Sequence, residues 1–273
     1  MQRLNGEDFF LVEKIKEGYF AEVFLGRSIK NGEVVAMKRI AKDNGDSRVR
    51  KESFNQEIKT AIVLENHPSL AKVLGYFETI AYYWLVMEFV EGMDLVKVME
   101  RQKFVPFSEG QCMPILQQIV GVLSYAHSKG VAHLDIKLDN IMLQPNGTIK
   151  IIDWGLSCSE DSLCCKKTCG SPEYTAPEVY NRPANIHYNA FQSDVFSLGV
   201  TLYCILVGEY PFDETALYLM RGGLEANSYT IPKNVCLSEK AIHLLDRMFT
   251  YNPENRITLD QINDHPWLQK IAQ

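Results

Sequence analysis

From about residue 9 to residue 40 the chain carries short apolar runs separated by polar residues, and this stretch reads as strands. Phe24 and Leu25 precede Asn31-Gly32, and Val34-Val35-Ala36-Met37 follows. Asn-Gly between apolar runs predicts a hairpin, because both residue types tolerate positive φ. The pattern then turns helical. Ser53 and Gln56 form a candidate capping box, with Phe54, Ile58, Ala61 and Ile62 on one face. Strand-like runs return over 71–77 and 82–89. After Glu91-Gly92 a long helix is expected, capped by Ser108 and Gln111 and carrying Ile115, Leu116, Ile119, Val122, Leu123 and Ala126. Gly130 ends it. Pro145-Asn146-Gly147 predicts a turn between short strands over 141–143 and 149–152. Helices dominate from there to the C-terminus. Strands first and helices later predict an α+β fold of two lobes.

Length and composition fit that picture. The 273 residues suffice for one large domain or two small lobes with real cores. A net charge of −6 argues against nucleic acid as a partner. The first eight residues show no apolar signal core. The longest apolar stretch, 195–207, falls short of the roughly 20 residues of a membrane span and reads as a buried helix. Seven irregularly spaced cysteines suit a reducing compartment, so a cytoplasmic or nuclear location is expected.

The candidate chemistry is concentrated near the middle of the chain. His133-Leu134-Asp135-Ile136-Lys137-Leu138-Asp139-Asn140 offers a carboxylate beside a lysine and an amide. Ile151-Ile152-Asp153-Trp154-Gly155 adds a second carboxylate at a strand-to-loop corner. Phosphoryl transfer from ATP needs these groups: a base for the incoming hydroxyl, a cation for the γ-phosphate, and oxygen ligands for magnesium.

The octet resembles the catalytic loop HRDxKxxN of eukaryotic protein kinases, and Asp153-Trp154-Gly155 resembles their metal-binding DFG. Other motifs follow in the same order. The segment before Val23 lies where kinases carry GxGxxGxV; Gly18 is retained, while Lys16 and Ala21 replace the other glycines. Val35-Ala36-Met37-Lys38 resembles the strand bearing the phosphate-binding lysine, and Glu57 falls at its ion-pair partner's place. Leu85-Val86-Met87-Glu88-Phe89-Val90 resembles the segment joining the lobes. Cys169-Gly170-Ser171-Pro172-Glu173-Tyr174-Thr175-Ala176-Pro177-Glu178 resembles the substrate-docking loop and APE motif. The likeness covers about 9–268, with lobes over 9–90 and 91–268 and the nucleotide between them. It implies a small, mainly antiparallel β lobe with one main helix and a larger, mainly α-helical lobe.

The resemblance implies roles. Lys38, held by Glu57, would bind the α- and β-phosphates, and Gly18 would let backbone approach them. Val23, Ala36 and Met142 would sandwich the adenine, with Met87 behind it. The backbone from Glu88 to Val90 would bond the base, and Asp94 the ribose. Asp135 would handle the hydroxyl proton, and Lys137 the γ-phosphoryl charge. Asn140 and Asp153 would hold magnesium. Lys137 is the serine/threonine-type residue. Further expected contacts are Ser171 near Asp135 and Lys137, Glu178 with Arg256, and Asp194 with the backbone around His133. The implied function is ATP- and magnesium-dependent phosphorylation of serine and threonine in protein substrates. The alternative is a pseudokinase that serves as a nucleotide-binding interaction scaffold. Asp139 and Asp94 could favour basic residues before the acceptor, whereas Cys204 stands where several base-directed kinases have an acid.

The departures carry information as well. The catalytic-loop arginine that receives an activation-loop phosphate in many kinases is Leu134 here. A second receiver position holds Cys158, and the usual phosphoacceptor position holds Lys167. Together these predict activity without activation-loop phosphorylation, the loop being ordered by packing, substrate or a regulatory protein. Cys158, Cys164, Cys165 and Cys169 cluster in that loop without well-formed zinc spacing, leaving redox control or ordinary loop roles. Trp154 is larger than the family's phenylalanine and Ala61 smaller than its aliphatic neighbour. Ala61→Leu alone is therefore expected to overpack, and Trp154→Phe to rescue it in part.

Overall fold

The computed structural model describes residues 1–18, 21–42, 47–65, 67–158, 170–181, 188–222 and 229–269. The first part contains β1 (Gln2–Arg3), β2 (Phe9–Glu17), β3 (Glu22–Ser28), β4 (Val34–Ala41), α1 (Ser47–Val63), β5 (Val73–Glu78) and β6 (Tyr82–Glu88). The second holds β7 (Met93–Asp94), α2 (Leu95–Arg101), α3 (Glu109–Ser128), β8 (Ile141–Leu143) and β9 (Ile149–Ile151). It continues with α4 (Pro177–Tyr180), α5 (Ala190–Val207), α6 (Glu214–Arg221), α7 (Glu239–Met248) and α8 (Leu259–Asn263).

A six-stranded sheet in the order β1-β5-β6-β4-β3-β2 forms the small lobe. Its neighbours are antiparallel except β1 with β5. Side chains alternate across a strand, and this decides what reaches the cleft. Val35 and Met37 pack on one face with Phe77, Trp84 and Val86. The intervening positions, Ala36, Lys38 and Ile40, take the other face. There Ile40 joins Phe54 of α1, Tyr83 and Leu85, with Met87 packed against them. One period-two register thus sends the lysine, the small alanine and Met87 toward the same space.

The large lobe is built around α5, whose residues from Ser193 to Val207 are all buried. This helix has the length and apolar character of a membrane span, but 89% of it lies inside the fold. The inward face of α3 carries the expected Ile115, Leu116, Ile119, Val122, Leu123 and Ala126. Gln111 Oε1 accepts from Ser108 N–H at 2.9 Å and closes its first turn. The small sheet β7-β8-β9 floors the cleft. Ile151 N–H donates to Ser69 O at 2.8 Å, tying that floor to the chain ahead of β5. At the junction of the lobes Gly92 has φ +137°, and a Cβ there would stand 2.3 Å from Leu143 O, so only glycine fits.

Helix α1 corrects one expectation. It begins at Ser47, and Ser53 lies inside it rather than at a cap. The preceding Arg48-Val49-Arg50-Lys51-Glu52 has little apolar signal, but most of these residues are good helix formers. Ile62, expected on the inner face, is 49% exposed, and Glu57 and Thr60 occupy that face instead. The strand β1, which pairs with Gly75 and Tyr76, was not signalled by the pattern.

Candidate active site

Lys38 is buried, and its Nζ donates to Glu57 Oε2 and to Asp153 Oδ1, each at 2.7 Å. Burial alone would lower the lysine's pKa, but the charges of Asp153 and Glu57 reverse this and raise it. Enclosure opposes ionisation of Asp153 as well; the Lys38 ammonium outweighs it and holds the carboxyl at about 2. Burial pushes Glu57 up, Lys38 pulls it back, and Asp153 adds to the rise. One ammonium is thus shared by carboxylates from α1 and from the loop after β9.

That loop is fixed from α1. Ser53 Oγ donates to Gly155 O at 3.0 Å, and Thr60 Oγ1 lies 2.7 Å from Ser157 Oγ. Neither contact was foreseen in the sequence, since each spans about 100 residues and serine or threonine inside a helix has no distinctive pattern. Asp153 itself has φ +62°, a left-handed conformation uncommon for a residue with a side chain.

The loop carrying Asp135 hangs on Asp194, which is fully buried in α5. Asp194 accepts from His133 N–H at 2.8 Å and Leu134 N–H at 2.7 Å, and its other neighbour is His127 Nε2 at 2.9 Å. These bonds hold Leu134 at φ +64°, a conformation costing about 1–2 kcal/mol for a residue with Cβ. His133 Nδ1 accepts from Asp135 N–H at 3.2 Å, which leaves its Nε2–H to donate to Ile152 O at 3.2 Å. Burial lowers the His133 pKa, in keeping with this neutral form. The ring thereby couples the Asp135 loop to the residue before Asp153.

Asp135 is the hub of a compact polar cluster. Lys137 Nζ lies 2.8 Å from its Oδ2, and Asn140 Nδ2 donates to the same oxygen at 3.0 Å. Ser171 N–H and Oγ reach Oδ1 at 3.1 and 3.0 Å, while Lys137 Nζ donates to Ser171 Oγ at 2.7 Å. A hydroxyl here is therefore held between a carboxylate that can accept its proton and an ammonium that can steady developing negative charge. Gly170, with φ +96°, brings Ser171 in: a Cβ on it would stand 2.8 Å from Leu134 O.

Both clusters face one cleft of about 690 Å³. Its walls include Gly18, Val23, Ala36, Lys38, Glu57, Met87, Glu88, Val90, Asp94, Asp135, Lys137, Asn140, Met142 and Asp153. The structure thus gathers every site residue expected from the sequence into one space. Asp94 is partly committed: Oδ1 caps α2 by accepting from Lys97 N–H at 2.8 Å, and Oδ2 lies 3.3 Å from Lys97 Nζ. Magnesium prefers hard oxygen donors. The Asn140 amide nitrogen is engaged by Asp135, so its oxygen is the atom left for a metal. Asp153 commits Oδ1 to Lys38 and Gly155 N–H, leaving Oδ2. These two oxygens suit the cation's chemistry.

Away from the cleft, Arg256 meets Glu178 through two bonds of 2.6 and 2.9 Å, as the family resemblance implied. Trp154 is buried, with its ring 4.4 Å from that of His133 and no acceptor for its indole N–H among the described residues. Trp154 and Ala61 both line a second cavity of about 360 Å³ behind α1. That space changes the expectation of overpacking. Ala61→Leu is now expected to bury apolar area there and to leave the melting midpoint unchanged or raise it, a gain of about 1–2 kcal/mol at most. A lowered midpoint in thermal denaturation would restore the overpacked picture. Ser162, Cys164, Cys165, Lys166, Lys167, Thr168 and Cys169 lie outside the described residues.

Comparison with known proteins agrees with this arrangement. The family model for the protein kinase domain matches residues 9–268. CBL-interacting serine/threonine-protein kinase 13 of Arabidopsis thaliana is 33% identical over 260 residues, covering 93% of this chain and 49% of that protein. Serine/threonine-protein kinase PLK4 of Aedes aegypti is 33% identical over 268 residues, covering 97% of this chain and 34% of its own length. Sperm motility kinase 1 of Mus musculus is 32% identical over 272 residues, or 99% of this chain and 53% of the relative. The chain therefore spans about half or less of the length of these relatives. With the family model matched across nearly its whole length, the chain belongs to the protein kinase domain family.

Proposed function

We propose that this chain transfers the γ-phosphate of ATP, with magnesium, to serine or threonine hydroxyls of protein substrates. The observation that carries this reading is the Asp135-Lys137-Ser171 cluster, which already holds one hydroxyl between carboxylate and ammonium. In this reading Asp135 orients the acceptor hydroxyl and receives its proton, and Lys137 steadies the charge on the transferred group. Lys38, locked by Glu57, draws on the α- and β-phosphates. Asn140 and Asp153 hold magnesium, which when bound neutralises phosphate charge. Val23, Ala36 and Met142 enclose the adenine, Met87 backs it, the backbone of Glu88 to Val90 bonds it, and Gly18 closes over the phosphates. Rate comes from positioning and preorganised charge, which is why each group is anchored by buried partners. Incubation with magnesium ATP and a serine/threonine peptide library tests the reading. Nucleotide binding without any phosphate transfer would favour the scaffold reading instead.

The same reading includes activity without activation-loop phosphorylation. Leu134 and Cys158 are both buried, and neither can pair with phosphate. Cys158 is tied by its backbone to Ala132, with N–H···O distances of 3.0 Å in both directions. The cations nearest Thr168 in sequence are Lys166 and Lys167, and an ion pair of a phosphate with such a neighbour is worth only about 0–1 kcal/mol where solvent reaches it. Phosphatase-treated protein and Thr168→Ala are therefore expected to keep most of the rate. A collapse of activity on dephosphorylation would overturn this and point to a cation such as Arg50 of α1 as receiver.

A further inference from the structure

Lys16 stands where the family's phosphate loop begins with glycine, and its side chain crosses the cleft. Its Nζ donates to Asp139 O at 3.1 Å and lies 3.9 Å from Asp139 Oδ1. The bond joins the end of β2 in the small lobe to the catalytic loop of the large one. Asp139 is one of the carboxylates that the sequence offered for reading basic residues in a substrate. The other, Asp94, is capped and paired within its own lobe by Lys97. Asp135 is engaged by Lys137. Each of these three carboxylates thus already has a lysine, and Asp139, like Asp153 with Lys38, receives its lysine from the opposite lobe.

From this contact we infer that Lys16 is a specificity-determining residue. It ties the phosphate loop to the catalytic loop and occupies Asp139, so that the carboxylate is withheld from an incoming peptide. The inference rests on the kinase reading above and deepens it. Two cations cannot both use one carboxylate at full strength, so a basic residue beside the acceptor competes with Lys16. Substrates without such a residue meet no such competition. The protein should therefore lack the preference for basic residues that its acidic cleft lining suggests. The contact is half-exposed, with Lys16 and Asp139 side chains 38% and 42% accessible, so it can open for substrate exchange.

The test uses serine peptides that differ only by an arginine or an alanine, placed in turn at each position preceding the acceptor. Wild type, Lys16→Met and the double variant Lys16→Met/Asp139→Asn are compared. Phosphate transfer and peptide affinity, the latter by fluorescence anisotropy, are both measured, and thermal melts establish that each variant is folded. Loss of Lys16 should raise the arginine-to-alanine ratio about two- to fivefold at one position, the size of an exposed ion pair. The double variant should cancel the gain. An unchanged ratio in folded Lys16→Met, or a gain that survives without Asp139, overturns the inference. Affinity does not depend on chemistry. If wild type transfers no phosphate, the kinase reading falls, and the affinity ratio still decides the role of Lys16.

Discussion

Asp135→Asn is expected to slow phosphate transfer by about 10²–10⁴-fold, the range for losing a positioned acid–base group. Asp153→Asn should cost at least as much, and the fold should survive both changes. The amide at 135 can still accept from Ser171 and orient a hydroxyl, but it cannot take up the proton. The amide at 153 keeps a ligand oxygen yet loses the charge that draws on both Lys38 and a divalent cation. Structural damage should be small because neither side chain belongs to the apolar core, and Asp153 presents 45% of its side chain to the cleft. Lys38 also has Glu57, 2.7 Å away in the unsubstituted protein, as a remaining partner. Single-turnover rates with purified variants, together with magnesium-dependent ATP binding, measure the effect. Wild-type turnover in either variant, with contaminating kinases excluded, would refute the assignment of these carboxylates.

The second large effect concerns stability rather than chemistry. Glu178→Ala should destabilise the fold by about 3–5 kcal/mol, because it strands a buried charge. The Arg256 side chain is fully buried, and Glu178 is its only carboxylate among the described residues. The remaining guanidinium bonds go to the carbonyls of Thr250, Gln192 and Tyr251, which carry no net charge. Arg256→Ala should cost a similar amount by leaving Glu178 and those carbonyls unpaired. Glu178 belongs to α4, which follows the Ser171 segment in the chain, so partial unfolding there should also impair peptide binding. Chemical denaturation of both single variants and the double variant separates the pair's coupling from the cost of exposing each partner. Near-native stability of Glu178→Ala would mean that water reaches Arg256.

The sequence by itself determined the class of fold and the chemical inventory. The two-lobe order, the α3 helix and the strand pairs on either side of Asn31-Gly32 follow from local periodicity and turn residues. The sorting of β4 into a core face and a cleft face came from the packing around it, since Val34 to Ala41 has no clean apolar–polar alternation of its own. The candidate site residues were legible because their types and order resemble the protein kinase pattern, and that resemblance implied their roles. Sequence did less well where the determining contact is distant or the signal polar. The start of α1 was missed because residues 47–52 carry little apolar pattern. The ties from Ser53 and Thr60 to the Asp153 loop, and the neutral His133 linking two loops, depend on residues far apart or on a buried carbonyl. The cavity beside Ala61 exists only once α1 is packed against the loop, and it altered the expected sign of a substitution. Lys16 makes the point most sharply. As a residue type it was a departure from a glycine pattern with no fixed direction, and only closure of one lobe over the other sent its ammonium to Asp139, 123 residues away in sequence. Local pattern fixes which groups a segment can offer; the folded chain decides which of them meet, because electrostatic and hydrogen-bonding energies depend on distance in space and not along the chain.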